Sequence, residues 1–439
     1  MTPSRSSPIR SHPDMTPEQN QTLTLTGPGT PMGALLRRYW LPFLLAEEVA
    51  GPDCDPVQVT LLSEQLICFR DSEGQLGLVD EFCAHRRVSL WFGRNEEGGI
   101  RCPYHGWKYR VDGRAIEIPS EGEAFCARVK LKSYPCVERG GVIWAYMGPA
   151  DLQPAVPEFE WAMVSPGQRY VNKRLQNSNW VQALEGGIDG AHVSWLHRGA
   201  LANEPMRIGS LGAKYQNDAK PRMEVMDSPT GLTIGARRSA DGADDYWRIT
   251  QFVLPFYNMI PPYGDHALHG HAFVPIDDQH CWVWTFTHHP VRDLSADEHA
   301  ALQSGEGIYA ELIPGTFEPK ANRANGYLMN RADQRAGRHY SGVPGIAMQD
   351  ASLQESCGPI HDRSRETLAS TDTGIIMARN RLLRAARNLE RGEQPPALDP
   401  QSHHLRSASF LRPAGIPFGD IVDEVVRAGA GPGLPHMSI

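Results

Sequence analysis

The chain lacks several features, and each absence narrows what it can be. No apolar run in its 439 residues approaches the ~20 that a membrane-spanning helix needs, so no such span is expected. It has no basic excess: Lys and Arg total 43 against 51 Asp and Glu, for a formal charge of -8. An acidic surface attracts neither nucleic acid nor anionic lipid. The first fourteen residues hold Ser, Pro and Arg but no apolar centre, which argues against a secretory signal. Residues 1–26 read as a flexible N-terminal segment, with Met15 mimicking a second start. Cysteine is sparse, at eight: Cys54, Cys68, Cys83, Cys102, Cys126, Cys136, Cys281 and Cys357. Scattered through a long chain, they do not look like a disulfide framework. The expectation is a reducing cytoplasm, with any special cysteines serving metal chemistry. No Gly-rich phosphate loop or flavin fingerprint occurs either.

What is present has an ordinary globular composition, 41% hydrophobic and 21% charged, at a length that suggests two or three domains. Gly27-Pro28-Gly29-Thr30-Pro31 reads as a turn, and Met32–Ala46 as an amphipathic helix after it. From Val57 to about Met147, short apolar segments alternate with turns. Asp112-Gly113 between Tyr109-Arg110-Val111 and Ala115–Ile118 is a strong hairpin signal. Pro149, Pro154 and Pro157 mark a linker. Beyond it, Asn179–Leu196 and residues 363–391 read as helices. Residues from about Arg222 to Phe286 read as strands ending in a hairpin. The fold class is α+β: a small all-β domain over 27–150 carrying an N-terminal helix, then a 151–439 domain with helices packed on an antiparallel sheet.

Chemistry concentrates at two places. Cys83-Ala84-His85 and Cys102-Pro103-Tyr104-His105 lie on tight loops of the β-rich block, so four ligands can meet. Two Cys and two His suit either a tetrahedral zinc or a [2Fe-2S] cluster with thiolates on one iron and imidazoles on the other. The alternation of Cys with His, and Gly106-Trp107 after the last ligand, favour the cluster. The second place is Asp189-x-x-His192-x-x-x-x-His197. Histidines five apart fall on different faces of a straight helix, so one metal can hold both only if the helix ends or bulges between them. Two imidazoles and one carboxylate with open positions make the facial triad of non-haem Fe(II) oxygenases.

Cys83-x-His85-Arg86 with Cys102-x-x-His105-Gly106-Trp107 resembles the Rieske signature of ring-hydroxylating oxygenases. Neither loop carries the extra cysteine of respiratory Rieske proteins. The resemblance covers nearly the whole chain after Met15. Gly27–Gly33 and the run from Met348-Gln349-Asp350 to Asp362-Arg363-Ser364 are similar to the phthalate 4,5-dioxygenase branch. It implies a helix-grip catalytic domain, a mononuclear Fe(II) on His192 and His197, and a third ligand after an apolar stretch. Asp350 fits that place best, with Glu355 and Asp362 as the other acids to weigh. Asp189 is implied to bridge the two centres by accepting from His192 and from His105 of a neighbouring subunit, in a homotrimer or stacked trimers.

The implied activity is that of the oxygenase component of a multicomponent dioxygenase. Electrons come from a separate NAD(P)H-dependent flavin/iron–sulfur reductase, and an aromatic carboxylate (phthalate-, isophthalate- or benzoate-like) becomes a cis-dihydrodiol. The alternatives are a monooxygenase or O-demethylase of a methoxylated aromatic acid, and a Rieske electron carrier without oxygenase activity. A benzoate-like substrate calls for a bidentate guanidinium, and Arg248 is the first candidate, followed by Arg207 and Arg222. Gly190 departs from the polar side chain expected there in phthalate-type enzymes. His266, His269 and His271 read as polar residues of a sheet, and the pairs His288-His289 and His403-His404 as weaker metal candidates still.

Overall fold

Apolar segments too short for helices, bounded by turn residues, pair as strands in the computed structural model, which describes residues 15–198, 218–262 and 267–428. Three antiparallel sheets build the first domain. β1 (Trp40–Leu45), β10 (Cys136–Arg139) and β11 (Val142–Tyr146) make one, in the order β1-β11-β10. β2 (Val57–Leu61), β3 (Glu64–Arg70), β4 (Leu76–Asp80) and β9 (Ser133–Tyr134) make the second. β5 (Arg94–Glu96), β6 (Gly99–Arg101), β7 (Lys108–Tyr109) and β8 (Ala115–Glu117) make the third. The Asp112-Gly113 turn connects β7 to β8, with Gly113 at φ 80°.

Two local expectations are corrected. The helix expected over Met32–Ala46 spans only Pro31–Leu36, and Trp40-Leu41-Pro42-Phe43-Leu44-Leu45 is a strand with every residue buried. A short apolar run covered on both faces carries no period that separates helix from strand. Residues 15–26 are also not a flexible tail. Thr16 and Gln19 form a capping box at the start of helix Pro17–Thr24, Leu23 is buried, and Asn20 accepts from Arg363 Nη1 at 3.1 Å. Residues 1–14 lie outside the described residues.

The second domain is one eight-stranded antiparallel sheet. Its strands are β12 (Arg169–Gln176), β13 (Arg222–Asp227), β14 (Gly231–Ser239), β15 (Asp244–Val253), β16 (Tyr257–Ile260), β17 (Leu268–Pro275), β18 (Cys281–His288) and β19 (Ala408–Pro413). They run in the order β12-β18-β17-β16-β15-β14-β13, with β19 on β15. Helix Trp180–Ile188 lies against the middle strands, and helix Ile346–Ser356 packs on it. Helix Thr373–Glu390 packs on β13 and β14, starting later than the expected 363 because Arg363–Arg365 form a separate single turn.

The two domains share a core. One continuous apolar cluster takes in Leu41 and Trp144 from the first and Trp284 and Phe286 from the second. Lys173 of β12 crosses to Glu48 at 2.5 Å, its ammonium lying 4.4 to 5.4 Å from the rings of Phe317, Trp282 and Trp284. The β2–β3 turn meets the β17–β18 turn through Leu62 N–H to Pro275 O and Ser63 N–H to Ile276 O, at 3.3 and 2.8 Å.

Candidate metal centres and active-site pocket

The two Cys-His loops are copies of one another in backbone geometry. In the first, Cys83 N–H donates to Val88 O and Arg87 N–H to Cys83 O; in the second, Cys102 N–H donates to Trp107 O and Gly106 N–H to Cys102 O. Arg87 and Gly106 occupy the same step, both left-handed at φ 58° and 76°. Glycine takes that conformation freely, whereas arginine takes it at a cost. This geometry buries both cysteines and leaves both histidines exposed. His85 Nδ1 and His105 Nδ1 stand 3.1 Å apart, and Trp107 stacks on His85 at 4.7 Å.

The donor positions suit two metals better than one. A tetrahedral ion bonded to sulfur at ~2.3 Å and nitrogen at ~2.0 Å would keep all four donors within ~4 Å of each other. No three of these four donors lie within 4.8 Å of one another. The imidazoles pair at the tip and the thiols sit deeper, as a two-iron cluster requires. Tyr109 Oη lies 3.2 Å from Cys83 Sγ. Burial pushes the Cys102 thiol up, and the N–H groups of Tyr104 and His105 oppose that by bonding its sulfur. Those contacts would stabilise a thiolate.

Among the described residues, one set of three donors does converge within 4.8 Å: His192, His197 and Asp350. His192 Nε2 and His197 Nε2 are 3.2 Å apart, and Asp350 Oδ1 is 3.4 and 3.3 Å from them. A divalent ion about 2.1 Å from each fits over that triangle. The helix break needed for this comes earlier than the interval between the histidines. Helix Trp180–Ile188 ends at Asp189, whose Oδ1 accepts the N–H of Ala191 at 2.7 Å and of His192 at 3.4 Å. Such side-chain bonds compete with helix continuation. His192 and His197 then flank the short turn Val193–Leu196.

A hydrogen bond orients His197, and a carboxylate faces His192. His197 Nδ1 faces Gln349 Oε1 at 2.8 Å. Gln349 Nε2 donates to Val343 O, so its carbonyl oxygen is the end that faces the ring. His197 therefore carries its proton on Nδ1 and offers a bare Nε2. Asp189 Oδ2 stands 3.5 Å from His192 Nδ1. Burial works against a charged His192, but the Asp189 and Asp350 carboxylates outweigh it and raise the imidazole to about 9. One turn before Asp189, the buried Glu185 carboxylate takes Arg363 at 2.9 Å and Arg379 at 2.6 Å. Burial opposes its ionisation, yet the two guanidiniums hold it down at about 2.

The triad opens into a pocket of about 710 Å3, counting its mouth, floored by one face of the sheet. Met223, Ile234, Ala236, Ile260 and Ile308 make its wall apolar, and Arg248 and His271 are its polar sheet residues along with Thr250. Arg248 is 7% exposed and donates to Pro261 O. Arg222 does not reach the pocket: its side chain is exposed, and the adjacent Met223 faces in. Arg207 and His266 lie outside the described residues. Glu355 bonds Asn177 N–H and Tyr327 Oη instead of joining the triad, and Asp362 caps Ser364. His269 bonds Thr287 Oγ1, but His271, read as an ordinary sheet residue, lines the pocket. There burial and the nearby Arg174 lower it to about 4. Gln349 was missed because a lone glutamine on a helix carries no signal, although its place beside Asp350 could have flagged it.

Comparison with known proteins agrees with this geometry. Residues 39–135 match the Rieske [2Fe-2S] domain model, and residues 145–411 the model described as LigXa C-terminal domain like. The oxygenase subunit of 3-chlorobenzoate-3,4-dioxygenase from Comamonas testosteroni is 35% identical, over 91% of this chain and 96% of that one. The oxygenase subunit of phthalate 4,5-dioxygenase from Pseudomonas putida is 36% identical, over 90% and 92%. Dicamba monooxygenase bound to dicamba shares the fold at TM-score 0.57 and 19% identity, over 82% of this chain and 100% of its own. A family model covering most of the second domain, a second one on the paired loops, and relatives matched nearly end to end leave one conclusion. The chain belongs to the Rieske non-haem iron oxygenases, as a terminal oxygenase subunit with a [2Fe-2S] cluster and a mononuclear iron.

Proposed function

We propose that the protein hydroxylates an aromatic carboxylate to a cis-dihydrodiol, with Arg248 holding the carboxylate. The observation that carries this is a buried guanidinium on an otherwise mostly apolar pocket wall shared with the three convergent donors. A planar carboxylate pairs with guanidinium bidentately, and the apolar side chains accept the ring. In this reading Cys83, His85, Cys102 and His105 hold the cluster, and His192, His197 and Asp350 hold the iron. Bound there, the iron supplies activation of O2, with electrons passed on by the cluster. Asp189 orients His192 and, through His105 of a neighbouring subunit, links the two centres in a trimer. Two exposed aromatic patches support such an assembly: Trp91, Phe92 and Tyr104 beside the cluster loops, and Trp195 with Tyr340 beside the triad. A separate NAD(P)H-dependent reductase supplies the electrons, and the eight unpaired cysteines suit a reducing cytoplasm.

The test is a screen of benzoate, its chlorinated and methoxylated derivatives and the benzene dicarboxylates, with a surrogate reductase, reading products by mass. Gain of both atoms of O2 in a dihydrodiol is expected, and Arg248→Met should abolish it while keeping the Rieske spectrum. Release of formaldehyde from methoxy acids would make the enzyme an O-demethylase instead. Oxidation of neutral arenes in preference to acids would remove the carboxylate reading.

A further inference from the structure

A small second chamber, about 340 Å3 when its open mouth is counted, continues from the pocket past the iron triad. The two voids share Gly187, His271, Ile308, Ile346 and Asp350, so they join beside the iron. Arg174, Gln354, Phe273 and Val283 line the inner end. Nothing in the oxygenase reading uses that end.

Arg174 is 7% exposed, and it forms no ion pair with a carboxylate among the described residues. Its single hydrogen bond runs from Nη1 to Gln176 Oε1 at 2.9 Å, and its Nε is buried without an acceptor. Three other buried arginines are neutralised, Arg363 and Arg379 by Glu185 and Arg406 by Glu160; Arg38, like Arg174, bonds only a glutamine oxygen, but it lines neither the pocket nor the chamber. An uncompensated buried cation is expensive and arginines are rarely buried without a partner. The Asp350 and Glu355 carboxylates act on it through space, without an ion pair, and the nearby Cys281 thiol cannot balance it, because burial pushes that group up to about 12.

The neighbours of Arg174 are arranged to the same end. Gln176 Nε2 donates to Gln354 Oε1 at 2.8 Å. This fixes the Gln354 amide so that its NH2 group, which meets no acceptor among the described residues, lies against Gly186 beside the chamber that Gln354 lines. His271 Nδ1 is also buried without a partner, where the two voids meet. Arg174 pairs across the sheet with Val283, and Val283 with Phe273, two residues from His271. His271 lies opposite Asn258, which lies opposite Phe252, four residues from Arg248. Even separations keep all of them on one sheet face. The strands of Arg174 and Arg248 are four places apart, roughly 19 Å at ~4.8 Å per strand. Two guanidiniums reaching inward from that separation leave room for a ring with an anionic group at each end.

We propose that the inner chamber is an anion subsite in which Arg174, aided by the Gln354 amide, receives a second anionic group of the substrate, opposite the carboxylate at Arg248. This rests on the aromatic-acid reading for the identity of the ligand, but not for the existence of the subsite. The substrate class narrows to aromatic acids carrying a second anionic group across the ring.

The experiment has two arms on the metal-loaded protein, with visible spectrum and iron content confirming the fold of each variant. In the first, crystals soaked in bromide should show an anomalous peak against Arg174. The peak should be lost in Arg174→Met and kept in Arg174→Lys. In the second, anaerobic calorimetry follows terephthalate and benzoate. Arg174→Met should weaken terephthalate about tenfold or more, the loss of one charge-assisted contact, and change benzoate by less than about twofold. Arg248→Met should weaken both. No bromide at Arg174 in the wild type, or terephthalate affinity untouched by Arg174→Met, would overturn the subsite. Bromide at Arg174 with neither acid binding would keep the subsite and remove the aromatic-acid reading.

Discussion

At His192 a proton and a metal compete for the same nitrogen. The raised imidazole, at about 9, means that the chain without a cation at this point holds a proton there near neutrality. Metal binding must displace it. The sign follows: below about pH 9 the apparent affinity should fall by about tenfold per pH unit, because each ion bound releases one proton. Calorimetry of Co(II) binding between pH 6.5 and 9, in buffers of different ionisation heat, reads both the slope and the released proton. Asp189→Asn removes one carboxylate that raises His192, so its slope should flatten at the alkaline end. A second residue-scale expectation concerns Gln349, which fixes the tautomer of His197. Gln349→Leu should lower metal affinity by about 10- to 100-fold, measured by chelator competition, and leave the Rieske spectrum unchanged. The candidate ligands were readable because thiols and imidazoles at short, repeated spacings stand out against any background. Gln349, Gln354 and Arg174 were not. Amides and single arginines occur everywhere in sequences, and only the cavity around them gives them meaning.

Among the elements, the helix Trp180–Ile188 decides where the iron ligands stand, and it is anchored by charge. Glu185 joins it to Arg363 and, through Arg379, to helix Thr373–Glu390. Gly186 brings its opposite side close to helix Ile346–Ser356: a Cβ at this position would lie 2.1 Å from Gln354 Nε2. Glu185→Gln leaves the buried Arg363 without a carboxylate, while Arg379 keeps Glu366, and should cost roughly 3 kcal/mol, seen as a lowered Tm. The same group makes stability acid-sensitive. Its folded value of about 2 lies below the ordinary 4.5, so its contribution is complete above about pH 5 and is lost as pH falls toward 2. Wild type should therefore lose more stability over that interval than Glu185→Gln in urea titrations. Sequence spacing required a break and put it between the two histidines, too late by a few residues. The break sits at Asp189 because its carboxylate captures the next backbone N–H groups, a competition that periodicity cannot register. Gly186 and Gly187 are the positions where this helix comes within contact of Gln354 on helix Ile346–Ser356 and of Phe273 in the sheet.

On the scale of the whole molecule, the question is whether electrons cross between subunits. Asp189→Asn is nearly isosteric and should keep both metals. Cluster reoxidation in a single turnover of pre-reduced protein with substrate and O2 should slow by on the order of 100-fold. Wild-type reoxidation would reduce Asp189 to an ordinary helix terminus. Mixing Asp189→Asn chains with cluster-less Cys102→Ser chains should restore activity that neither has alone. No restoration in verified mixed trimers would place the transfer within one chain.

The Lys173–Glu48 bridge has a consequence for anyone recombining these proteins. The ammonium leaves one domain, passes a box of three aromatic rings and ends on the carboxylate of the other. The iron–sulfur module is thus not a cassette with its own closed surface. A chimera cut at the proline linker would leave a buried cation on one half and strip apolar cover from Trp144 on the other. Swaps between relatives should succeed only when the donor module brings an acid at position 48 together with the partner's aromatic box, which ties the inheritance of electron delivery to that of substrate oxidation.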